Sequence, residues 1–155
     1  MLTTEEQAPD FALEDQDGNR VTLSQFAGRD VVLYFYPKDL GSRCSVGAAA
    51  FSAVVPELQE MNAVLLGVNR DGRETHQDFI KKFKLAFPLL SDPEGKCIDA
   101  YGAYKKAPLT GKPSKGTDWT TVWIGPDGIV REIWVKYNLL NHPGDVVDAI
   151  QKSHR

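Results

Sequence analysis

Two apolar runs set the pattern of the chain. Val31-Val32-Leu33-Tyr34-Phe35-Tyr36 is hydrophobic on both faces of an extended segment, as in a central strand covered from two sides. Residues 63–69 (Ala-Val-Leu-Leu-Gly-Val-Asn) repeat the pattern. Between them, residues from about 44 to 61 are rich in Ala, Val and Leu and predict a helix. A kink is expected at Pro56, where a backbone donor is missing. Residues 73–83 predict a second helix, with Phe79, Ile80 and Phe83 at helical spacing. A short extended segment, Phe87-Pro88-Leu89-Leu90, comes next, and Asp92-Pro93 then starts a helix that carries Cys97 and ends near Gly102. Residues 105–118 read as one long polar loop. Thr120 to Ile124, the turn Gly125-Pro126-Asp127-Gly128 and residues 129–135 form a hairpin pattern, and a last helix is expected from about Gly144 to Lys152.

The N-terminal segment Ala8-Pro9-Asp10-Phe11-Ala12-Leu13 is extended, because a residue before proline is pushed out of the helical region. Turn residues 15–19 and the return Arg20-Val21-Thr22-Leu23 make a second hairpin, after which Ser24 is positioned to cap a short helical turn ending near Gly28. Strands alternating with helices, closed by a hairpin and a helix, indicate an α/β layer structure with a mixed central sheet. No repeat, linker or low-complexity tract interrupts it, so one domain is expected over residues 1–155.

Composition narrows the function. A chain of 155 residues, 42% hydrophobic, can bury a core without staples. A net charge of −3 gives no general pull toward nucleic acid or an anionic membrane. The apolar run at 31–36 is too short to span a bilayer, and the polar, acid-containing first 30 residues do not resemble a secretory signal. Two cysteines are too few for a disulfide scaffold, and no Cys/His group has zinc-ligand spacing. A reducing, cytoplasmic setting without metal or cofactor is expected.

Cys44 is the residue best placed for chemistry, where the first apolar strand gives way to a helix. The nucleophilic form of cysteine is the thiolate, and a helix N-terminus with Lys38 and Arg43 nearby is expected to lower its pKa into the range of about 3.5–7.5. Ser42 and Ser45 flank it. Packing is the competing reading, since free cysteine is among the most buried residue types. A phosphate loop or dinucleotide fingerprint is missing here. His76, His142 and His154 lack a context that places them near Cys44 and are expected as scattered surface residues. Arg70, Asp71 and Arg73 follow the second strand at its C-terminal end, where they could shape the site, with a solvated turn the favoured reading. Trp119, Trp123 and Trp134 are expected as core or cover rather than a substrate platform.

Ala8-Pro9-Asp10-Phe11, Asp15-Gln16-Asp17-Gly18-Asn19, the run from Val31 through Tyr36-Pro37-Lys38-Asp39, Phe87 through Pro93 and Pro126-Asp127-Gly128 together resemble the peroxiredoxins, in the branch called bacterioferritin comigratory protein. The resemblance implies a thioredoxin-like fold with an added N-terminal β-hairpin. It also implies a thiol peroxidase in which the Cys44 thiolate attacks the terminal oxygen of a hydroperoxide and becomes a sulfenic acid. The family motif is proline, three residues, threonine or serine, two residues, then cysteine. Pro37 and Cys44 are in register with it, and Pro37 would shield the sulfur. Gly41 stands at the hydroxyl position, and Trp119 stands where the family carries an arginine before a Ser-Thr or Thr-Thr pair. Losing one preorganised donor in other enzymes costs about 100- to 1,000-fold in rate. Ser42 and Arg43 are candidate replacements, against the alternative that both face solvent.

Many relatives carry a resolving cysteine five residues after the nucleophile, a position that is Ala49 here. Cys97 is the remaining candidate for that role, with packing as its alternative. The resemblance further implies a hydroperoxide substrate, a thioredoxin-like or other thiol reductant, no cofactor and a monomer. The competing reading, drawn from Gly41 and Trp119, is a degenerate relative acting as a redox sensor or binding protein. A thiol–disulfide oxidoreductase is disfavoured by the lack of a Cys-x-x-Cys pair.

Overall fold

The computed structural model describes residues 2–106 and 109–154, apart from the side chains of residues 113–115. The elements in chain order begin with β1 (Ala12–Glu14), β2 (Arg20–Thr22), a 3-10 turn (Leu23–Phe26), β3 (Val31–Phe35), α1 (Ser42–Glu60) and β4 (Val64–Asn69). There follow α2 (Arg73–Phe83), β5 (Leu89–Ser91), α3 (Lys96–Ala100), β6 (Tyr104–Lys106), β7 (Pro113–Thr117), β8 (Thr120–Ile124), β9 (Val130–Val135) and α4 (His142–Ser153). Seven strands form one sheet in the order β2-β1-β5-β4-β3-β8-β9. Its middle is parallel where helices cross over, β3 to β4 and β4 to β5, and antiparallel where hairpins fold back. Among the described residues, no helix is long and apolar enough to cross a membrane.

The two-sided hydrophobicity of β3 follows from its place at the centre. Val32, Tyr34 and Tyr36 face a core made with Phe51 and Leu58 of α1, Phe79 of α2 and Ile150 of α4. Val31, Leu33 and Phe35 face the other core, with Phe11, Leu23, Ile98 and Tyr101. Each such side chain contributes roughly 1.5–3 kcal/mol on full burial.

The structure departs from the sequence reading in four places. The polar stretch 105–118 carries an antiparallel ribbon, β6 with β7, since backbone pairing needs no apolar side chains; residues 107 and 108 lie outside the described ones. The helix with Cys97 begins only at Lys96, and the Asp92 carboxylate accepts the Ile98 N–H at 2.8 Å. The turn after β2 is capped from Thr22, whose N–H donates to the Gln25 side chain at 2.8 Å, instead of from Ser24. Two of the three histidines are buried, His76 completely and His142 nearly so.

His142, at the start of α4, stacks on Tyr137 with ring centroids 3.6 Å apart and meets the edges of Phe51 and Trp134. Its Nε2 lies 2.8 Å from the Thr121 hydroxyl of β8. Burial pushes its pKa down to about 4. The unfolded chain therefore takes up this proton first, near the ordinary histidine value of about 6.5. The stability that His142 contributes is present above about pH 6.5 and is lost as pH falls toward 4. Urea unfolding midpoints should drop over that window in the wild type and drop less in His142→Gln. Parallel pH profiles for the two proteins would show that His142 is not the titrating group.

Candidate active site

β3 ends at Phe35, Tyr36 continues its direction, and Pro37 removes the next N–H from any ladder. The chain then turns through residues 38–41 into α1, whose first helical residue is Ser42 and whose N-cap is Gly41. Cys44 thus lies in the first turn of α1, 3% exposed, at the C-terminal end of the parallel strands. Open α/β sheets place their ligand sites at that end. Ser45 N–H closes the first turn on the Gly41 carbonyl at 2.8 Å.

The loop from 37 to 41 is fastened by polar groups from the end of β3, from β4, from α2 and from the turn after β4. Asp39, 8% exposed, accepts hydrogen bonds from the Tyr36 hydroxyl (2.6 Å), Asn69 Nδ2 (3.1 Å) and the Thr75 hydroxyl (3.0 Å). His76 Nδ1 approaches the same carboxylate at 2.5 Å, which requires the proton on that nitrogen. The Asp39 N–H donates to Asp71 Oδ2 at 2.7 Å, and Asn69 Nδ2 reaches the same oxygen at 3.2 Å. Asp71 is therefore a clamp on the loop rather than a solvated turn residue. Arg73 leaves the site altogether, lying 3.9 Å from Glu14 of β1.

Burial, with these carboxylates adding to it, reverses the expected titration of Cys44. Burial is the largest effect on the thiol and raises its pKa. The Lys38 backbone N–H and the Lys38 charge pull it down, while the negative charges of Asp39 and Asp71 push it up. The net direction is upward from the ordinary thiol value. A helix N-terminus with an adjacent cation does not generate a low-pKa thiol here, because burial outweighs it and two acids, from the loop and from the turn after β4, add to burial.

Pro37 is half-buried at the start of the loop. Arg43 is exposed and its guanidinium lies over the Trp119 ring, 4.9 Å from the ring centroid, a cation–π contact. The charges acting on the thiol are those of Lys38, Asp39 and Asp71. Ser42 is exposed and lines, with Arg43, Val46, Tyr137 and Leu140, an open groove of about 430 Å³. A Cβ at Gly41 would meet Lys38 Cε at 3.4 Å and Cys44 Cβ at 3.7 Å, ordinary contacts, and the backbone there is extended. Nothing in the local conformation demands glycine.

Cys97 belongs to the core on the opposite face of the sheet, with Ile98 and Tyr101, whereas Cys44 packs in the core with Tyr34 and Phe51. The structure does not bring the two sulfurs together. Burial, with Asp92 adding to it, pushes the Cys97 thiol far up. Trp123 serves as core, donating to Asp30 at 2.8 Å, and His154 reaches the other oxygen of Asp30 at 2.7 Å.

Comparison with known proteins places this chain in a family. The AhpC/TSA family model matches residues 4–133. A putative peroxiredoxin bcp of Coxiella burnetii is 34% identical over 145 residues, 94% of this chain and 96% of that protein. Peroxiredoxin Bcp of Xanthomonas campestris is 35% identical over 145 residues, 94% and 90% of the two chains. A solved structure of the Xanthomonas campestris bacterioferritin comigratory protein, described for its alkyl peroxide reduction activity, superposes with a TM-score of 0.87 at 32% identity and covers 94% of this chain and 92% of that one. A mutant of Xylella fastidiosa PrxQ superposes with a TM-score of 0.92 at 26% identity, over 100% and 99%. The fold is thioredoxin-like with N-terminal strands added to a mixed sheet, and the chain belongs to the AhpC/TSA family, among relatives named Bcp peroxiredoxins.

Proposed function

We propose that this protein is a thiol peroxidase that reduces hydroperoxides with Cys44 alone and is recycled by an external thiol, thioredoxin-like or small. The observation that carries the reading is Cys44 buried in the first turn of α1 at the C-terminal end of the parallel strands, where the Lys38 backbone N–H favours its thiolate. An amide donor aimed at sulfur favours the thiolate when it forms. The thiolate attacks the terminal peroxide oxygen, the O–O bond breaks, and the sulfur becomes a sulfenic acid. The alkyl peroxide reduction described for the Xanthomonas protein supports the substrate class. The separation of Cys44 and Cys97 by the sheet supports the one-cysteine course.

A specific observation favours a second reading, a slow relative that senses oxidants. The Cys44 thiol is shifted toward its protonated form, and Gly41 and Trp119 stand at the positions of the usual hydroxyl and guanidinium. Three measurements separate the readings. Peroxide consumption with a thiol reductant should be lost in Cys44→Ser and unchanged in Cys97→Ala, and mild peroxide should add about 16 Da to the chain without the loss of about 2 Da that a disulfide brings. Consumption by the wild type no faster than by free cysteine would favour the sensor. Loss of activity in Cys97→Ala, with the lighter mass, would restore Cys97 as resolving residue.

Gly41→Thr tests whether a missing hydroxyl limits the rate. Since the site has room for a Cβ, the variant should fold normally and consume peroxide at least about tenfold faster than the wild type. An unchanged rate in a folded variant would remove the hydroxyl from the explanation. The raised thiol has its own signature. With the proton held on sulfur through neutral pH, iodoacetamide should alkylate Cys44 of the Cys97→Ala protein about tenfold faster per pH unit from pH 7 up to 9. A plateau beginning below pH 7 would contradict the upward shift.

A further inference from the structure

Among the described residues, four buried side-chain polar atoms have no hydrogen-bond partner: Tyr34 Oη, Ser91 Oγ, Thr117 Oγ1 and Trp119 Nε1. Two of the four belong to side chains that pack in the core containing Cys44. An unmade hydrogen bond on a buried donor costs about 1–3 kcal/mol, so such groups persist where a ligand completes them.

Tyr34 is fully buried on β3, stacked on Tyr36 with centroids 5.3 Å apart and tilted against Phe51 at 4.7 Å. Its hydroxyl reaches the backbone of α1 at Gly47, where an added Cβ would collide with it, one turn beyond Cys44. Negative charge on Tyr34 is opposed first by burial and then by charge on Tyr137 and on Cys44, so the group stays an O–H donor beside the thiol. Trp119 brings its indole N–H to the same place from the start of β8. That N–H is near enough to ease Tyr34 ionisation slightly, yet the two groups lie outside hydrogen-bond geometry and both remain unpaired. The outward ring face of Trp119 is taken by Arg43.

We propose that Tyr34 Oη–H and Trp119 Nε1–H are a donor pair for the peroxide oxygens, a role that rests on the peroxidase reading of Cys44. The Cys44 thiolate forms a bond to the terminal oxygen of a hydroperoxide, which keeps its hydrogen, and the O–O bond breaks. Its electron pair leaves on the inner oxygen as alkoxide or hydroxide. Sulfur is oxidised to sulfenic acid, the peroxide is reduced, and the leaving oxygen accepts both hydrogen bonds before taking a proton from water. Neither donor carries charge, so each acts through its fixed direction in a buried site, where a preorganised donor counts for more than it would in water.

The test uses Tyr34→Phe and Trp119→Phe, each of which removes one donor and keeps a ring. In each variant kcat/KM for tert-butyl hydroperoxide should fall by on the order of 100-fold. Alkylation of Cys44 by iodoacetamide at the same pH should stay within about twofold, because the peroxide and not the thiolate loses a partner. The urea unfolding midpoint should hold or rise, since an unpaired buried donor is removed. Unchanged rates, or midpoints that fall together with the rates, would overturn the proposal. A second measurement is independent of turnover. In Cys44→Ser protein labelled with nitrogen-15, tert-butyl hydroperoxide should shift the Trp119 indole N–H signal, identified by its loss in Trp119→Phe, and Tyr34→Phe should weaken the effect. A signal that does not move overturns the donor pair even if the enzyme is active. A wild type that consumes no peroxide while the signal moves would instead sink the peroxidase reading and keep the binding site.

Discussion

The buried Asp39 carboxylate is the fixed point of the site. It gathers Tyr36 from the end of β3, Asn69 from the end of β4, and Thr75 and His76 from α2, while its own N–H is held by Asp71. A carboxylate can accept about four hydrogen bonds, so this one is saturated and ties three elements to one loop. The loop needs the restraint. Leu40, the next residue, has φ +64°, a left-handed conformation that costs a residue with a Cβ roughly 1–2 kcal/mol. It is held between Asp39 and the first turn of α1, closed at Gly41. The angle at which the chain enters α1, and with it the position of Cys44, depends on a buried charge.

That arrangement has an electrostatic consequence for the thiol it positions. Asp39 is well solvated by its donors, yet its charge still opposes a second negative charge at Cys44, as does that of Asp71. The same residues that make the loop rigid make its cysteine harder to ionise. The sheet adds a geometric consequence. Alternate side chains of β3 line two separate cores, and the two cysteines fall one into each. On the one-cysteine reading this partition is what leaves the oxidised sulfur to an external thiol, approaching over the exposed rim formed by Lys38, Leu40 and Arg43.

The layered architecture was legible because it depends on periodicity. The double-sided run at β3 and its repeat at β4 could only be central parallel strands, and α1, α2 and the closing hairpin followed from spacing and turn residues. The frame of the site, Pro37 to Cys44, was legible as a fixed interval. The Asp39 hub was not, because Asp39 and Asp71 read as loop polarity, and Asn69 as the polar end of a strand, until β3 and β4 are laid side by side. His76 did leave a signal: with Phe79, Ile80 and Phe83 it completes one helical stripe, which marks a buried position. The expected low pKa failed for a related reason. Lys38 and Arg43 are neighbours in sequence, whereas Asp71 arrives from the far end of the crossover, and the Arg43 charge is drawn off to an aromatic face.

The raised thiol, set first by burial, and the tryptophan at the position where the family resemblance implies an arginine bear on the same balance of charge. A guanidinium at position 119 would set a positive charge against Asp39 and Asp71 in the field felt by the sulfur, at the expense of desolvating a cation. An indole N–H supplies direction without charge. It is cheaper to bury, but among the described residues it leaves Lys38 as the cation acting on the thiol against burial and two carboxylates. The cation that Trp119 does recruit, Arg43, sits over the ring and is exposed, so solvent screens it. The site thereby exchanges electrostatic activation of the nucleophile for neutral donors around it. On the donor-pair proposal, the rate then depends on the donors that the peroxide engages as well as on the fraction of Cys44 that is ionised.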